Sequence, residues 1–422
     1  MTGLSTRCCI VGGGPAGMML GLLLARAGVE TLVLEKHADF LRDFRGDTVH
    51  PSTLDVMDDL GLLESFLARP YDKAERLHAT ISGQRVTIAD FSRLRRRSNF
   101  IAMMPQWEFL DFVRDEAERH AGFRLMLDCE GVGLVEQGGQ VRGVEAVGVD
   151  GPVRIAADLV IAADGRRSVL RSCAGLVVKD IGAPIDVLWM RLPKRPSDPA
   201  GSGGFIDTGH FMATIDRGSY WQCAYVIAKG GIEAIQARGL EAFRREVASA
   251  APLLEDRVSH IADWNDVKLL SVAVDRLERW WKPGLLCIGD AAHAMSPIGG
   301  VGINLAVQDA VATANILGPS LADARIDAAA LVPLLEKVQA RRLFPARATQ
   351  ALQVAIQKRL LTPVLQSSGR QRPLGVPWPL RLMQRWPMLQ ALPAYAVGVG
   401  VRPERVRSPA AARPRVMAQS TG

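Results

Sequence analysis

Three short stretches hold residue types and spacings that chemistry could use. The first is GDAAHAMSPIGGVGIN (289–304), in which a lone acid, Asp290, follows the apolar run GLLCI (284–288). Four of its first fourteen residues are glycine, and INLAVQDAVATANIL (303–317) then continues with apolar positions at helical spacing. Glycines at a helix mouth let a ligand approach the backbone with no side chain in the way. The second is GGGPAG (12–17), where Gly12, Gly14 and Gly17 spell G-x-G-x-x-G between the apolar run TRCCIV and the helical run MMLGLLLARAG. In that setting the first glycine allows the tight turn, the second lets a pyrophosphate reach the backbone, and the third lets helix pack on strand. Pro15 and Ala16 complete the first helical turn, whose free N–H groups and dipole favour an anion. Glu35, at the end of ETLVLEK and eighteen residues after Gly17, is placed to accept from an adenosine ribose, with Lys36 beside it. The third is ADLVIAADGRRSVLR (157–171), a strand ending at Asp164-Gly165 with Ser168 as a first-turn cap of the next helix.

These residues need a parallel α/β frame to bring them together. Strand, glycine turn, helix and second strand at the N-terminus form such a unit. The run CCIVGGGPAGMMLGLLLARAGV has glycines and a proline early and Arg26 late, so it divides into strand, turn and helix and is expected to be neither signal peptide nor membrane span. No second fingerprint exists: GSGGFIDTG (201–209) has no apolar strand before it and no helix after it. A second nucleotide would therefore bind transiently.

The trio of motifs resembles the single-component FAD monooxygenases of the para-hydroxybenzoate hydroxylase type, over roughly residues 5–345. The resemblance implies that Gly12, Gly14, Gly17 and Glu35 bind FAD, and that Asp164 and Gly165 touch its pyrophosphate region and take part in NAD(P)H binding. It implies that Asp290 binds the ribityl chain, that Arg45 in FRGDTVHP lies along the phosphates and ribityl, and that Gln106 in MPQWEFLDFV is a further polar FAD contact. It places the isoalloxazine against Pro297–Gly302, with Gly300 and Gly302 leaving room and the N–H groups of Ile303 and Asn304 at the pyrimidine edge. A helix N-terminus favours negative charge there by about 0.3–2 kcal/mol. His293 reads as a packing residue.

The implied fold class is α/β. A Rossmann-like FAD-binding domain (1–72, 98–182 and 268–345) carries an inserted antiparallel-sheet substrate domain (73–97 and 183–267), and a basic helical tail follows over 346–422. IDVLWMRL, GHFMATID and SYWQCAYVIA read as alternating strands of that inserted sheet, as does the pair within LHATISGQRVTIADF. His50, His210, Tyr220, Gln222 and Tyr225 are candidates to orient or deprotonate a phenol. Strand parity alone leaves open which face they occupy.

Composition agrees with a globular enzyme. The chain has 422 residues, 48% hydrophobic, and a net charge of +7. Residues 341–422 hold fourteen Lys/Arg and one acid, Glu404, so the tail is +13 and the remainder −6. A solvated helical cap on the FAD domain accounts for the tail better than nucleic acid or a membrane surface does. The last dozen residues read as disordered. The six cysteines form no CxxC pair, and Cys8, Cys9 and Cys287, set in apolar strand-like runs, read as reduced, buried thiols of a cytoplasmic protein; no metal-ligand spacing stands out.

The expected function is an FAD-dependent monooxygenase. It would use NAD(P)H and O2 to hydroxylate or epoxidise an aromatic or electron-rich apolar small molecule through a flavin C4a-hydroperoxide. Rival readings on the same fold are a flavin reductase or dehydrogenase, and a halogenase, whose WxWxIP signature is absent. A non-catalytic binding protein is the rival from another class. An intact Gly289-Asp290 loop argues against it.

Overall fold

The computed structural model describes residues 3–41, 48–323, 328–367 and 374–411. Arg45 and the last eleven residues lie outside them, as does the reading of a disordered C-terminus. Among the described residues the helices are α1 (Pro15–Arg26), α2 (Pro51–Asp59), α3 (Leu63–Leu67), α4 (Gln106–Ala117), α5 (Val169–Cys173), α6 (Ile232–Ala237), α7 (Leu240–Ala250), α8 (Gly302–Ala322), α9 (Val332–Ile356), α10 (Thr362–Leu365), α11 (Trp378–Arg385) and α12 (Ala391–Gly398). None is long and apolar enough to cross a membrane.

The first sheet orders its strands Trp281–Lys282, Leu285–Cys287, Gly151–Ala162, Gly3–Val11, Thr31–Leu34, Phe123–Met126. From Leu285–Cys287 to Phe123–Met126 every pairing is parallel. Apolar runs such as CCIV suit strands covered on both faces. Here α1 and α8 pack together on the sheet, and Cys8, Cys9 and Ile10 are fully buried. Burial pushes the Cys9 thiol up to about 12, which leaves it a protonated core residue.

The second sheet runs Lys268–Leu270, Ile185–Pro193, Tyr220–Ala228, His210–Asp216, Gly203–Asp207, Arg76–Ile81, Gln84–Asp90. It is antiparallel except where Gly203–Asp207 meets Arg76–Ile81 in parallel. That step joins the two sequence segments that build it. Three boundaries differ from the sequence reading. Lys268–Leu270 belongs to this sheet, because it pairs with Val187–Trp189. Asp72–Ala74 pairs instead with Ile101–Met103 in a separate three-stranded sheet. The division at 345/346 falls inside α9, which runs through Pro345 unbroken.

The tail joins both units and is more than a cap on the first. Arg405 pairs with Asp59, Arg341 with Glu404 at 2.7 Å, and Ala411 N–H donates to Arg26 O at 2.8 Å. On the second sheet, Gln384 Nε2 donates to Thr87 O at 2.7 Å. From α12, Ala394 and Val397 pack with Leu77, Ile215 and Phe91.

Candidate active site

Sheet register brings the three motifs to one edge. Val11 pairs laterally with Leu34 and with Ala162, and Ala162 pairs with Cys287. Gly12, Glu35, Asp164 and Gly289 therefore follow directly from the C-terminal ends of neighbouring parallel strands, where open α/β sheets bind ligands. A Cβ on Gly12 (φ +109°) would lie 2.3 Å from Ala163 O, and one on Gly17 would lie 2.0 Å from Gly12 O. Both glycines are needed for strand, turn and helix to close. Gly14 differs, because a Cβ there meets nothing within 4 Å. It stands as N-cap of α1, with Pro15 at N1 and Ala16 buried behind it. Glu35 Oε2 accepts from Gly13 N–H at 2.9 Å, while Oε1 is 2.5 Å from His37 Nδ1. Lys36 is exposed and stands 3.7 Å from Glu130.

Arg166 links the second and third motifs. Its Nη2 lies 3.2 Å from Asp290 Oδ2, while Asp164 Oδ2 accepts from Leu170 N–H at 3.2 Å. Ser168 caps α5 through Arg171 N–H, and Gly165 turns with φ +84°. Burial raises the Asp164 carboxyl pKa. Asp164 Oδ1 and Arg166 Nη1 are buried with no partner among the described residues. A buried guanidinium nitrogen without a protein acceptor on this edge, and an α1 N-terminus open at Gly14, suit a pyrophosphate, so this edge fits FAD.

Asp309, on α8, was not singled out from sequence. It is fully buried and accepts from Gly289 N–H at 3.1 Å, His293 Nε2 at 2.6 Å and Arg342 Nε at 2.8 Å. Burial alone would raise its pKa, but His293 and Arg342 outweigh that and hold it low. His293 is thus structural, and Asp309 fixes the turn that presents Asp290. A lone acid inside an apolar helical run was the available signal.

The Pro297–Asn304 loop is held from two sides. Gly300 (φ +63°) passes so close to Thr48 that a Cβ would lie 2.3 Å from its Oγ1, and that hydroxyl donates to Gly300 O at 2.8 Å. Pro297 O accepts from Gly300 N–H at 3.0 Å. A Cβ on Gly302 meets nothing within 4 Å. Behind the loop, Gln350, Gln353 and Gln357 of α9 and its π-helical continuation (Gln357–Leu361) satisfy the backbone or side-chain groups of Ala294, Ser296 and Ile298. Three glutamines at helical spacing were a legible signal that sequence reading passed over. Gly302, Ile303 and Asn304 start α8, so their N–H groups have no intrahelical acceptor. The Asn304 side chain is occupied, since Oδ1 accepts from His50 N–H at 3.0 Å and Thr53 Oγ1 at 2.7 Å. His50 is fully buried and pairs through Nδ1 with Val397 O at 2.9 Å, and burial lowers its pKa to about 4. Since a carbonyl only accepts, Nδ1 carries the proton and Nε2 is a bare acceptor. Gln106 opens α4 half-buried.

The second sheet has two unlike faces. Val187, Ala224 and Val226 cluster with Trp189, Phe211, Ala213 and Ile298, so this face meets the loop. By strand alternation Tyr220 and Gln222 share it. His210 and Tyr225 do not. Tyr225 packs with Met212, Phe243 and Val247 under α7, and His210 Nδ1 lies 2.7 Å from its hydroxyl. These two candidates point away from the loop, and burial lowers the His210 pKa and raises that of Tyr225. They are withdrawn as phenol-orienting residues.

The chain matches the FAD binding domain family over residues 5–348. It is 31% identical over 413 residues to 6-methylpretetramide 4-monooxygenase of Streptomyces rimosus, spanning 96% of this chain and 95% of that protein. Among solved structures, OxyS anhydrotetracycline hydroxylase from Streptomyces rimosus superposes with a TM-score of 0.71 at 21% identity, covering 94% of this chain and 76% of that one. PqsL, a probable FAD-dependent monooxygenase from Pseudomonas aeruginosa, gives 0.71 at 22% identity, covering 84% and 96%. The two structures speak to fold, and the first relative speaks to family. A sheet edge shaped for a dinucleotide, and a family match over most of the chain, make this protein a member of the FAD-dependent aromatic monooxygenases.

Proposed function

We propose that the protein uses NAD(P)H and O2 to hydroxylate a planar, apolar, fused-ring phenol in the cytoplasm. The observation that carries the reading is the apolar sheet face turned to the Pro297–Asn304 loop, with Ile298 packed among Val187, Ala224 and Val226. Such a face admits an aromatic ring and keeps water out. The relative named for 6-methylpretetramide, similar along 95% of its own length, supports a polycyclic substrate.

When bound, FAD supplies the two-electron redox chemistry and the activation of O2. Gly14, Glu35, Arg166 and Asp290 would hold its nucleotide and ribityl portions, and Arg45 would assist. The N–H groups that open α8 favour negative charge at their end of the loop. Tyr220 and Gln222 would orient the substrate from the sheet. His50, neutral near pH 7, keeps the loop and Val397 in register and adds no charge.

The test is NAD(P)H consumption across phenols, quinones and fused-ring polyketides under 18O2. The expected result is stimulated consumption and one 18O atom in the product. Consumption without 18O incorporation would make the protein a reductase and refute the proposal.

A further inference from the structure

We propose that the cleft between α9 and α12 is a second subsite, which takes the distal rings of an extended fused-ring phenol. This inference rests on the monooxygenase reading above and adds where the far end of the substrate lies. The cleft has a volume of about 430 Å³, and Ile298 forms part of its floor. Ile298 also packs into the apolar cluster on the second sheet, so one residue of the loop touches both that sheet face and the cleft. A volume of about 300–1,000 Å³ with apolar walls and few polar groups is the usual form of a small-molecule site.

Three observations favour a ligand over an ordinary surface groove. The rim leaves large apolar side chains in water: Leu352 is 45% exposed, Leu392 67% and Tyr395 48%. Covering them would take apolar area out of water, which favours a bound apolar ring. The floor is rigid, because Gln353 Nε2 donates to Ser296 O at 2.9 Å and Ile298 O at 2.8 Å. The third is Arg402, the one cationic side chain among the described residues that line the cleft. It adopts φ +51°, a conformation uncommon for residues with a side chain, and its guanidinium lies 4.8 Å from the Phe344 ring centre. No acid occurs between residues 343 and 403, and Glu404 is engaged by Arg341 and Arg342. A guanidinium over an aromatic ring beside an apolar cleft, with no carboxylate partner among the described residues, matches an ionised phenol or enol on a flat ring system.

The experiment uses FAD-saturated full-length protein and equilibrium dialysis with two probes, 1,8-dihydroxyanthraquinone and the single-ring resorcinol. Ala348→Trp fills the cleft from α9, and Leu392→Lys places a charge on its exposed rim. Each variant is first checked for parental FAD content and circular dichroism. The expected result is anthraquinone affinity weakened by about tenfold or more in both variants, with resorcinol affinity changed by less than about twofold. Arg402→Gln should weaken the anthraquinone more at pH values where it is ionised than where it is neutral. Failure of the parent to bind the anthraquinone, or unchanged affinity in both variants, overturns the proposal. So does a change of oligomeric state in Leu392→Lys with probe affinity unaltered, since the cleft would then be a contact between copies. If the cleft assignment fails while aromatic compounds still stimulate NAD(P)H consumption with 18O incorporation, the monooxygenase reading stands. If no aromatic does so, that reading fails, and dialysis still decides the cleft.

Discussion

Replacing Asp309 with leucine should damage stability and cofactor binding together, although Asp309 need touch no part of FAD. Its carboxylate is fully buried and shared by Gly289 N–H, His293 and Arg342. Removing it leaves the Arg342 guanidinium, 1% exposed, without its nearest carboxylate; Glu404 remains at 3.5 Å. Breaking a buried pair from one side costs about 3–5 kcal/mol, and the remaining contact to Glu404 puts the expectation at the lower end. The lost bond to Gly289 N–H adds about 1 kcal/mol, and it loosens the turn that presents Asp290. Urea denaturation of the apoprotein should show a loss of about 3–4 kcal/mol, and flavin fluorescence titration about tenfold weaker FAD binding. The Asp309→Leu, Arg342→Met double variant should recover part of the stability, because it removes the stranded charge. A loss below about 1 kcal/mol with parental FAD affinity would show that this network does not hold the site.

His50 gives a signed pH prediction. Its folded pKa of about 4 lies below the ordinary value of 6.5, so between those values the unfolded chain binds the extra proton. Stability should therefore fall as pH drops from 6.5 to 4, by at most about 3 kcal/mol, and level off below that. His50→Asn should flatten this window, as followed by denaturation midpoints at fixed pH. Asp290→Ala removes the partner of Arg166 and a charged acceptor, and should weaken FAD by about ten- to a hundredfold without unfolding the chain. Gly12→Ala should instead destabilise the apoprotein, because its Cβ meets Ala163 O at 2.3 Å where φ is +109°; a thermal midpoint equal to the parent's would contradict that.

What was legible in the sequence was what local spacing encodes. Gly12-x-Gly14-x-x-Gly17, Glu35, Asp164-Gly165 and Gly289-Asp290 each sit at a strand end, and parallel register alone is needed to gather them. The facing of His210, Tyr220, Gln222 and Tyr225 was not legible. Both faces of Tyr220–Ala228 are buried, one under α7 and one toward Ile298, so apolar alternation gives no inside or outside. The path of the tail was equally hidden. Its basic composition says solvated, yet Arg341, Arg342 and Arg405 reach carboxylates or partners distant in sequence, and apolar α12 spans from the sheet to His50. Asp309 and the α9 glutamines were readable as polar residues in apolar surroundings, but their partners are set only by tertiary packing.

In the proposed holoenzyme the N-terminal turn and the Pro297–Asn304 loop grip one FAD. Gly14→Val and Gly302→Val test it most directly, because a Cβ at either position meets nothing of the protein within 4 Å. Neither variant should therefore disturb the apoprotein fold. A side chain forced against a close-packed ligand costs about 1–3 kcal/mol, so each should weaken FAD by about ten- to a hundredfold. The measurement is the FAD dissociation constant by fluorescence titration, with circular dichroism and thermal midpoints matching the parent. Both variants should fold and both should lose FAD affinity, although the two positions lie far apart in sequence. Two folded variants that bind FAD as tightly as the parent would contradict it.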